Sequence, residues 1–359
     1  MAAPSDHSPS RTPSPPLGGP TREPAGRSGD GSGVRPAGPG AVSSTRRRRA
    51  LALAERRPIL LVWIGTVFFS ASPVIIASAT TISGPAFAFY RLWFGAVLTG
   101  GLALANHRRL RSVGGALLTR TGVRWTIASG AAFAVHQLMF IAALRTTSVV
   151  DVTLMNTLAP VIVAVLAVPL FGERPGLSFR LWSVLAIVGA ALVAVAGSSG
   201  PQGQPVGVAL AAGNVVFYSL YFVGSKEARA HIDTITFLAG TVLVAAIVVS
   251  AYVVITGTSI STVSGHDLLL CATVAAIPGL LGHFSITWSL KWVPANIPPI
   301  IMLAVPLLSG LLAFALLGQI VTALKIVGGL VTLVGVAGAV RSPGARTLSI
   351  EALDLAEQP

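Results

Sequence analysis

Polar side chains are scarce within the long apolar stretches of this 359-residue sequence, so the few that occur there are the candidates for chemistry. His136 and Gln137 lie in the middle of the third apolar stretch, and His283 lies in the middle of the eighth. An imidazole can hydrogen-bond a polar small molecule or carry a proton near neutral pH. A neutral histidine bonded to a neighbouring helix would also explain each position, and the sequence leaves both interpretations open.

A second group of candidates is defined by four-residue spacing. Asn156 lies one helical turn before Pro160, and Asn214 has the same spacing to Tyr218, so each pair lies on one face of its helix. The amide and phenol groups could bind a hydroxyl or a carboxylate of a ligand, or they could bond one helix to another. Trp63 could face the same cavity or lie at a membrane interface.

The composition places these residues inside a membrane. The sequence is 53% hydrophobic and only 10% charged, whereas a soluble chain carries about 25% charged residues. Its apolar stretches recur at about the 20-residue length that a helix needs to cross a bilayer. We therefore predict an all-α membrane protein with ten transmembrane helices, at about 58–79, 86–106, 124–144, 150–171, 177–197, 206–224, 234–256, 268–289, 296–317 and 321–340.

The charge distribution predicts the orientation. Residues 1–57 are rich in Pro, Gly and Ser and are predicted to be a disordered basic tail. This tail ends in Arg46, Arg47, Arg48, Arg49, Arg56 and Arg57. Arginines next to a first membrane helix favour a cytoplasmic anchor on anionic lipid over a nucleic-acid site. Most connector Lys and Arg residues fall on the same side, so both termini, including the short tail 341–359, are predicted to be cytoplasmic.

Prolines inside the apolar stretches predict kinked helices. Pro73, Pro160, Pro278 and Pro306 each lack the N–H that would bond the carbonyl four residues earlier. Freed carbonyls at membrane depth are tolerated where they face protein or a wet cavity. These kinks could line a cavity and flex during gating, or they could serve packing alone.

Few charged residues fall near the spans, and the single cysteine, Cys271, excludes a disulfide framework. Asp151 could bind a coupling proton, although an exposed carboxylate at a helix start is favoured. Arg91 could attract an anionic substrate, although a side chain that reaches the lipid headgroups is favoured. With no paired carboxylates in a span and no phosphate-binding loop, we expect no metal, no cofactor and no catalytic residue.

The sequence repeats itself at an offset of 146 residues. The matching positions are Leu144-Arg145 with Leu290-Lys291, Ala159-Pro160 with Val305-Pro306, Gly172 with Gly318, and Gly189 with Gly335. The repeat predicts two five-helix units, 58–197 and 206–340. Because five is odd, the second unit must lie upside down relative to the first. Inverted repeats are typical of transporters, with the substrate site near mid-membrane where the halves meet.

The repeated pattern resembles the EamA domains of the drug/metabolite transporter superfamily. The resemblance lies in residues 156–174 and 185–197, in their second copies 301–318 and 326–338, and in residues 91–95 (RLWFG). Gln319 stands where the first copy has Glu173, so we assign no coupling role to this pair.

The resemblance implies a secondary transporter, not an enzyme, that exports a small polar or amphipathic metabolite across the plasma (cell) membrane by alternating access. Its expected partners are the lipid bilayer and a small-molecule substrate, and no nucleic acid is expected. The sequence leaves open whether the chain forms a homodimer. One alternative is a non-transporting membrane scaffold. Another is an intramembrane serine hydrolase, since residues 197–200 (GSSG) match a Gly-x-Ser-Gly pattern with His283 as a base. Ser199 falls in a connector at a helix end, which disfavours the hydrolase.

Overall fold

The computed structural model describes residues 58–112, 119–171, 176–198, 205–229, 231–261, 263–289 and 301–342, and these ranges contain no β-strand. The predicted tail 1–57 and residues 343–359 of the C-terminal tail lie outside the described residues. The helices are α1 (Pro58–Ser78), α2 (Gly84–Ser112), α3 (Arg120–Thr146), α4 (Val149–Asn156), α5 (Ala159–Phe171), α6 (Leu177–Ser198), α7 (Pro205–Arg229), α8 (Thr234–Ile255), α9 (Gly265–Val274), α10 (His283–Ser289), α11 (Val305–Leu317) and α12 (Ala323–Arg341).

Most of these helices are long and apolar enough to cross a bilayer. By length and composition, the described residues contain eight such segments: Ile59–Ser78, Gly84–Asn106, Arg120–Thr146, Leu177–Ala196, Pro205–Ser225, Thr234–Ile255, Gly265–Ile286 and Ala323–Arg341. Two shorter apolar segments, Val149–Val163 and Val305–Leu317, lie where the sequence predicts the fourth and ninth spans. The prediction of an all-α membrane protein is confirmed, and the count of ten spans stays a prediction.

Both shorter segments adjoin helix breaks that lie at equivalent positions of the 146-residue repeat. The first break lies at residues 157–158, between α4 and α5, and the second at residues 303–304, before α11. Each break comes just before a proline of the repeated pattern, Pro160 or Pro306. The backbone tightens there, because Leu158 N donates to Met155 O at 3.0 Å and Ala304 N donates to Ile301 O at 3.0 Å. These bonds to the third residue back form a turn that is tighter than an α-helix just before each proline.

The other two predicted kink prolines differ from each other. Pro278 lies within a π-helical segment, Ala275–Gly282, that joins α9 to α10. A wider turn of this kind accommodates the missing N–H. Pro73 lies inside α1, which continues past it to Ser78. Three of the four prolines therefore coincide with a departure from regular α-helix.

Helices that correspond in the two halves pack antiparallel to each other. In the α6–α12 pair, a β-carbon on Gly189 would collide with Thr332, and one on Gly335 would collide with Ala186. Residue numbers rise along α6 where they fall along α12, so the two helices run in opposite directions. Glycine at these crossings lets the two backbones approach closely.

The pair α2 and α8 shows the same antiparallel arrangement through polar contacts. Trp93 Nε1 donates to Ser250 Oγ at 3.0 Å, and Asn106 Nδ2 donates to Asp233 Oδ1 at 3.0 Å. The Asp233 carboxylate also caps α8 by accepting from the backbone of Ile235 at 3.1 Å. Between the halves, α3 packs against α7 and α8, while the segment from α9 to α10 packs against α1 and α2. This exchange brings the middle of α3 into the interior of the bundle and places α10 against α1.

Candidate functional site

The centre of the site is a stack of rings from α3 and α7. The His136 and Tyr218 rings lie nearly parallel, with centroids 4.6 Å apart and planes 23° apart. Phe133 and Phe140, one turn to either side on α3, have ring centroids 5.5 and 5.8 Å from that of His136. His136 is only 6% exposed, and its Nδ1 has no hydrogen-bond partner among the described residues. The structure therefore joins two predicted candidates, His136 and Tyr218, across the two halves.

The neighbouring Gln137 connects this stack to α2. Arg91 Nη1 donates a hydrogen bond to Gln137 Oε1, so the guanidinium points into the bundle and not to the headgroups. Gln137 is 2% exposed. Arg91 is also close enough to His136 and His283 to interact with both electrostatically. Of the two alternatives predicted for Arg91, the favoured one, a headgroup contact, is wrong because Gln137 lies within reach on the facing helix.

The two candidate asparagines bond to each other. Asn214 Nδ2 donates to Asn156 Oδ1 at 2.6 Å, which joins α7 to the end of α4 at the first helix break. Asn214 is fully buried and also lies against His136. Its Oδ1 has no hydrogen-bond partner in the described part of the chain. The pair is thus an interhelical contact that lies beside the ring stack.

The remaining two candidates occupy different surroundings. His283, at the start of α10, is half-buried, and its ring meets the edge of Phe69 on α1 with centroids 4.8 Å apart. Trp63 is 43% exposed and shares an exposed apolar face of α1 with Leu60 and Val67. The structure therefore places His283 against α1, from where it interacts electrostatically with Arg91, and it leaves Trp63 apart from the central cluster.

A buried ion pair at the start of α4 was missed by the sequence reasoning. Asp151 Oδ2 accepts from Lys325 Nζ on α12 at 2.8 Å, with the two side chains 1% and 6% exposed. The same oxygen accepts from Ser148 Oγ at 2.7 Å and Thr147 Oγ1 at 2.8 Å. Asp151 does belong to a helix start, where it completes a capping box with Ser148. The predicted exposure of this carboxylate is wrong, because α12 covers it.

A second contact joins the same ends of the two halves. Gln319 Oε1, just before α12, accepts from the backbone N–H of Val149 at 2.9 Å. This bond satisfies one of the free N–H groups at the start of α4. Gln319 therefore makes an uncharged helix-end contact. Its equivalent in the first repeat, Glu173, lies outside the described residues.

Comparison with known proteins identifies the family. A family profile described as the EamA-like transporter family matches residues 56–195 and 205–341, which together are most of the chain. The chain belongs to the EamA-like transporter family. No curated protein sequence matches it. A solved crystal structure described only as that of a protein has a TM-score of 0.56 and 18% identity, and the match covers 79% of this chain and 98% of the other. At that identity the likeness shows the fold alone.

Membership in the EamA-like family identifies a multi-pass membrane protein of a transporter family. Within the described ranges, no group of three or more His, Cys, Asp or Glu residues is placed to hold a metal ion. Ser199 of the Gly-x-Ser-Gly match lies outside the described residues. The cluster of Arg91, His136, Gln137, Asn214 and Tyr218 is the candidate functional site of this EamA-like protein.

Proposed function

We propose that this protein is a secondary transporter that exports a small polar or amphipathic metabolite across the plasma membrane by alternating access, and that it is not an enzyme. The observation that carries the proposal is the convergence of polar side chains from α2, α3 and α7 inside an apolar bundle, where the two repeats meet. Polar groups in such a place are costly, and they mark substrate pathways.

Antiparallel packing of equivalent helices supports inverted repeats. The pairs α6–α12 and α2–α8 come from corresponding positions of the two halves and run in opposite directions. We propose ten spans in two inverted five-helix units, with the broken helices at the fourth and ninth positions. Inverted repeats give a carrier two related conformations, each open to one side.

With both termini cytoplasmic, the starts of α4, α9 and α12 lie at the outer side of the membrane. The Asp151–Lys325 pair closes α4 against α12 there. Asp267, at the start of α9, accepts a hydrogen bond from Thr81 in the α1–α2 connector. We propose that these contacts hold the outer side closed and must separate when the protein opens outward.

Transport is tested with purified protein in liposomes. A panel of radiolabelled amino acids, nucleosides, organic acids and amines should contain at least one compound that is taken up saturably without nucleotide. His136→Ala and His283→Ala should lower that rate at least tenfold, whereas Phe314→Ala, which changes a side chain that is 61% exposed, should not. Uptake no faster than in protein-free liposomes across the whole panel would refute the transport function.

Orientation is tested with introduced thiols. Cys271 is fully buried, so a Cys271→Ala chain serves as the background. An impermeant maleimide should label Ser259→Cys, in the α8–α9 connector, in intact cells. It should not label Gly176→Cys, just before α6, until the membrane is permeabilised. The reverse pattern would show that the termini face outward.

A further inference from the structure

We propose that the substrate is an organic anion with a flat ring, and that its carboxylate binds to Arg91. This inference rests on the proposed transport function and names the chemical class of the substrate. It depends on the charge of Arg91, on the absence of acidic groups near it in the described part of the chain, and on the ring stack beside it.

The guanidinium of Arg91 is a positive charge held inside the bundle. Its hydrogen-bond partner is the neutral amide of Gln137. The described ionisable groups that interact with it electrostatically include the thiol of Cys271 and the imidazoles of His136 and His283. Arginine stays protonated in proteins, and a buried charge is costly unless it is paired. A ligand that carries a negative charge would therefore gain much of its binding free energy by pairing with Arg91.

The described acids do not supply that counter-charge, because they lie toward the ends of their helices. Those residues are Asp151, Glu227, Asp233 and Asp267. Asp151 is paired with Lys325, and Asp233 caps the start of α8. Asp267 lies in the first turn of α9, where its carboxylate accepts hydrogen bonds from Ser264 and Thr81. An ammonium group at the central cluster would find no carboxylate among the described residues, and it would meet the charge of Arg91. The site therefore favours an anion over a cation or a zwitterion.

The stack beside Arg91 indicates the shape of the rest of the molecule. His136 and Tyr218 present near-parallel rings, and the Phe222 ring meets Tyr218 edge-on with centroids 4.6 Å apart. Such surfaces favour a flat aromatic group, which packs by offset stacking or by its edge. His136 and Asn214 interact with each other beside the stack, so a hydroxyl on that ring would find hydrogen-bonding groups there.

The experiment uses three probes that share a phenol ring and differ in charge: 4-hydroxyphenylacetate, tyramine and tyrosine. Purified full-length protein should bind radiolabelled 4-hydroxyphenylacetate at pH 7.5, and unlabelled tyramine or tyrosine should not displace it. Protein in liposomes should exchange the same anion in counterflow. If tyramine or tyrosine is bound and exchanged in preference to the anion, transport stands and the inference about the substrate is overturned.

Variants of Arg91 test the proposed contact. Arg91→Gln should weaken binding of 4-hydroxyphenylacetate ten- to a hundredfold, and Arg91→Lys, which keeps the charge, should bind more tightly than Arg91→Gln. Arg341→Gln, at the exposed end of α12, is the matched control and should bind like wild type. Thermal unfolding with and without the probe checks the folding of each variant. The probe should strongly stabilise only the chains that keep a positive charge at position 91. Equal binding by Arg91→Gln and wild type, or no binding by wild type, would overturn the inference. A failure of the whole transport panel would instead overturn the proposed function.

Discussion

Substitution of either partner of the Asp151–Lys325 pair is expected to destabilise the protein strongly. Both side chains are almost fully buried, and the charged atoms are 2.8 Å apart. At an effective dielectric constant of 20 this separation corresponds to a gross attraction of about 6 kcal/mol, which offsets the cost of removing both charges from water. Removing one partner leaves the other buried and uncompensated, which costs about 3–5 kcal/mol.

The two single variants differ in what remains. Lys325→Gln leaves a carboxylate that still accepts from Ser148 and Thr147. Asp151→Asn leaves an ammonium whose other hydrogen bond is to Ser148. The double variant Asp151→Asn/Lys325→Gln has no buried charge at this position, so it should recover part of the lost stability. Its loss in free energy of unfolding should therefore be smaller than the sum of the losses in the two single variants.

The free energy of unfolding can be measured by titrating purified protein in detergent micelles with SDS and following far-UV circular dichroism. Arg341→Gln removes a positive charge from the exposed end of the same helix and should change stability by less than about 0.5 kcal/mol. The reasoning is refuted if Lys325→Gln is as stable as Arg341→Gln, or if the effects of the two single substitutions simply add in the double variant.

Three further predictions follow from packing and burial. Gly189→Leu should destabilise the α6–α12 crossing by about 1–3 kcal/mol, whereas Gly101→Leu, with open space around it, should have little effect in the same SDS titration. Cys271 is fully buried, so a bulky maleimide should react with it, and shift the electrophoretic mobility of the protein, only after denaturation. Rapid labelling of the folded protein would contradict the buried position of Cys271. Asn156→Ala should lower stability by about 1 kcal/mol through loss of one interhelical hydrogen bond. A double-mutant cycle with Asn214→Ala should show that the two substitutions are coupled. Independent effects would mean that the bond does not form.

Several features follow from the sequence because their causes are local. Apolar length alone predicts helices that cross a bilayer, and the eight long segments lie where the composition indicates. The repeat at an offset of 146 residues places Pro160 and Pro306 at equivalent positions, and the structure breaks the helix just before each of them. A proline lacks an N–H wherever it occurs, so these two positions could be predicted as weak points without knowledge of the neighbouring helices. Pro73, which α1 passes without a break, shows that a proline alone does not decide whether the helix is interrupted.

The contacts between helices were decided by tertiary structure alone. Arg91 and Gln137 are 46 residues apart, and Asp151 and Lys325 are 174 residues apart. A membrane helix such as α8 is apolar on nearly every side, so its sequence does not define which face turns inward. Helix rotation is set by close packing at small residues such as Gly189 and by the pairing of a few buried polar groups. Those contacts turn Arg91 toward the ring stack and cover Asp151 with α12, because each group reaches its partner only after the two halves have packed together.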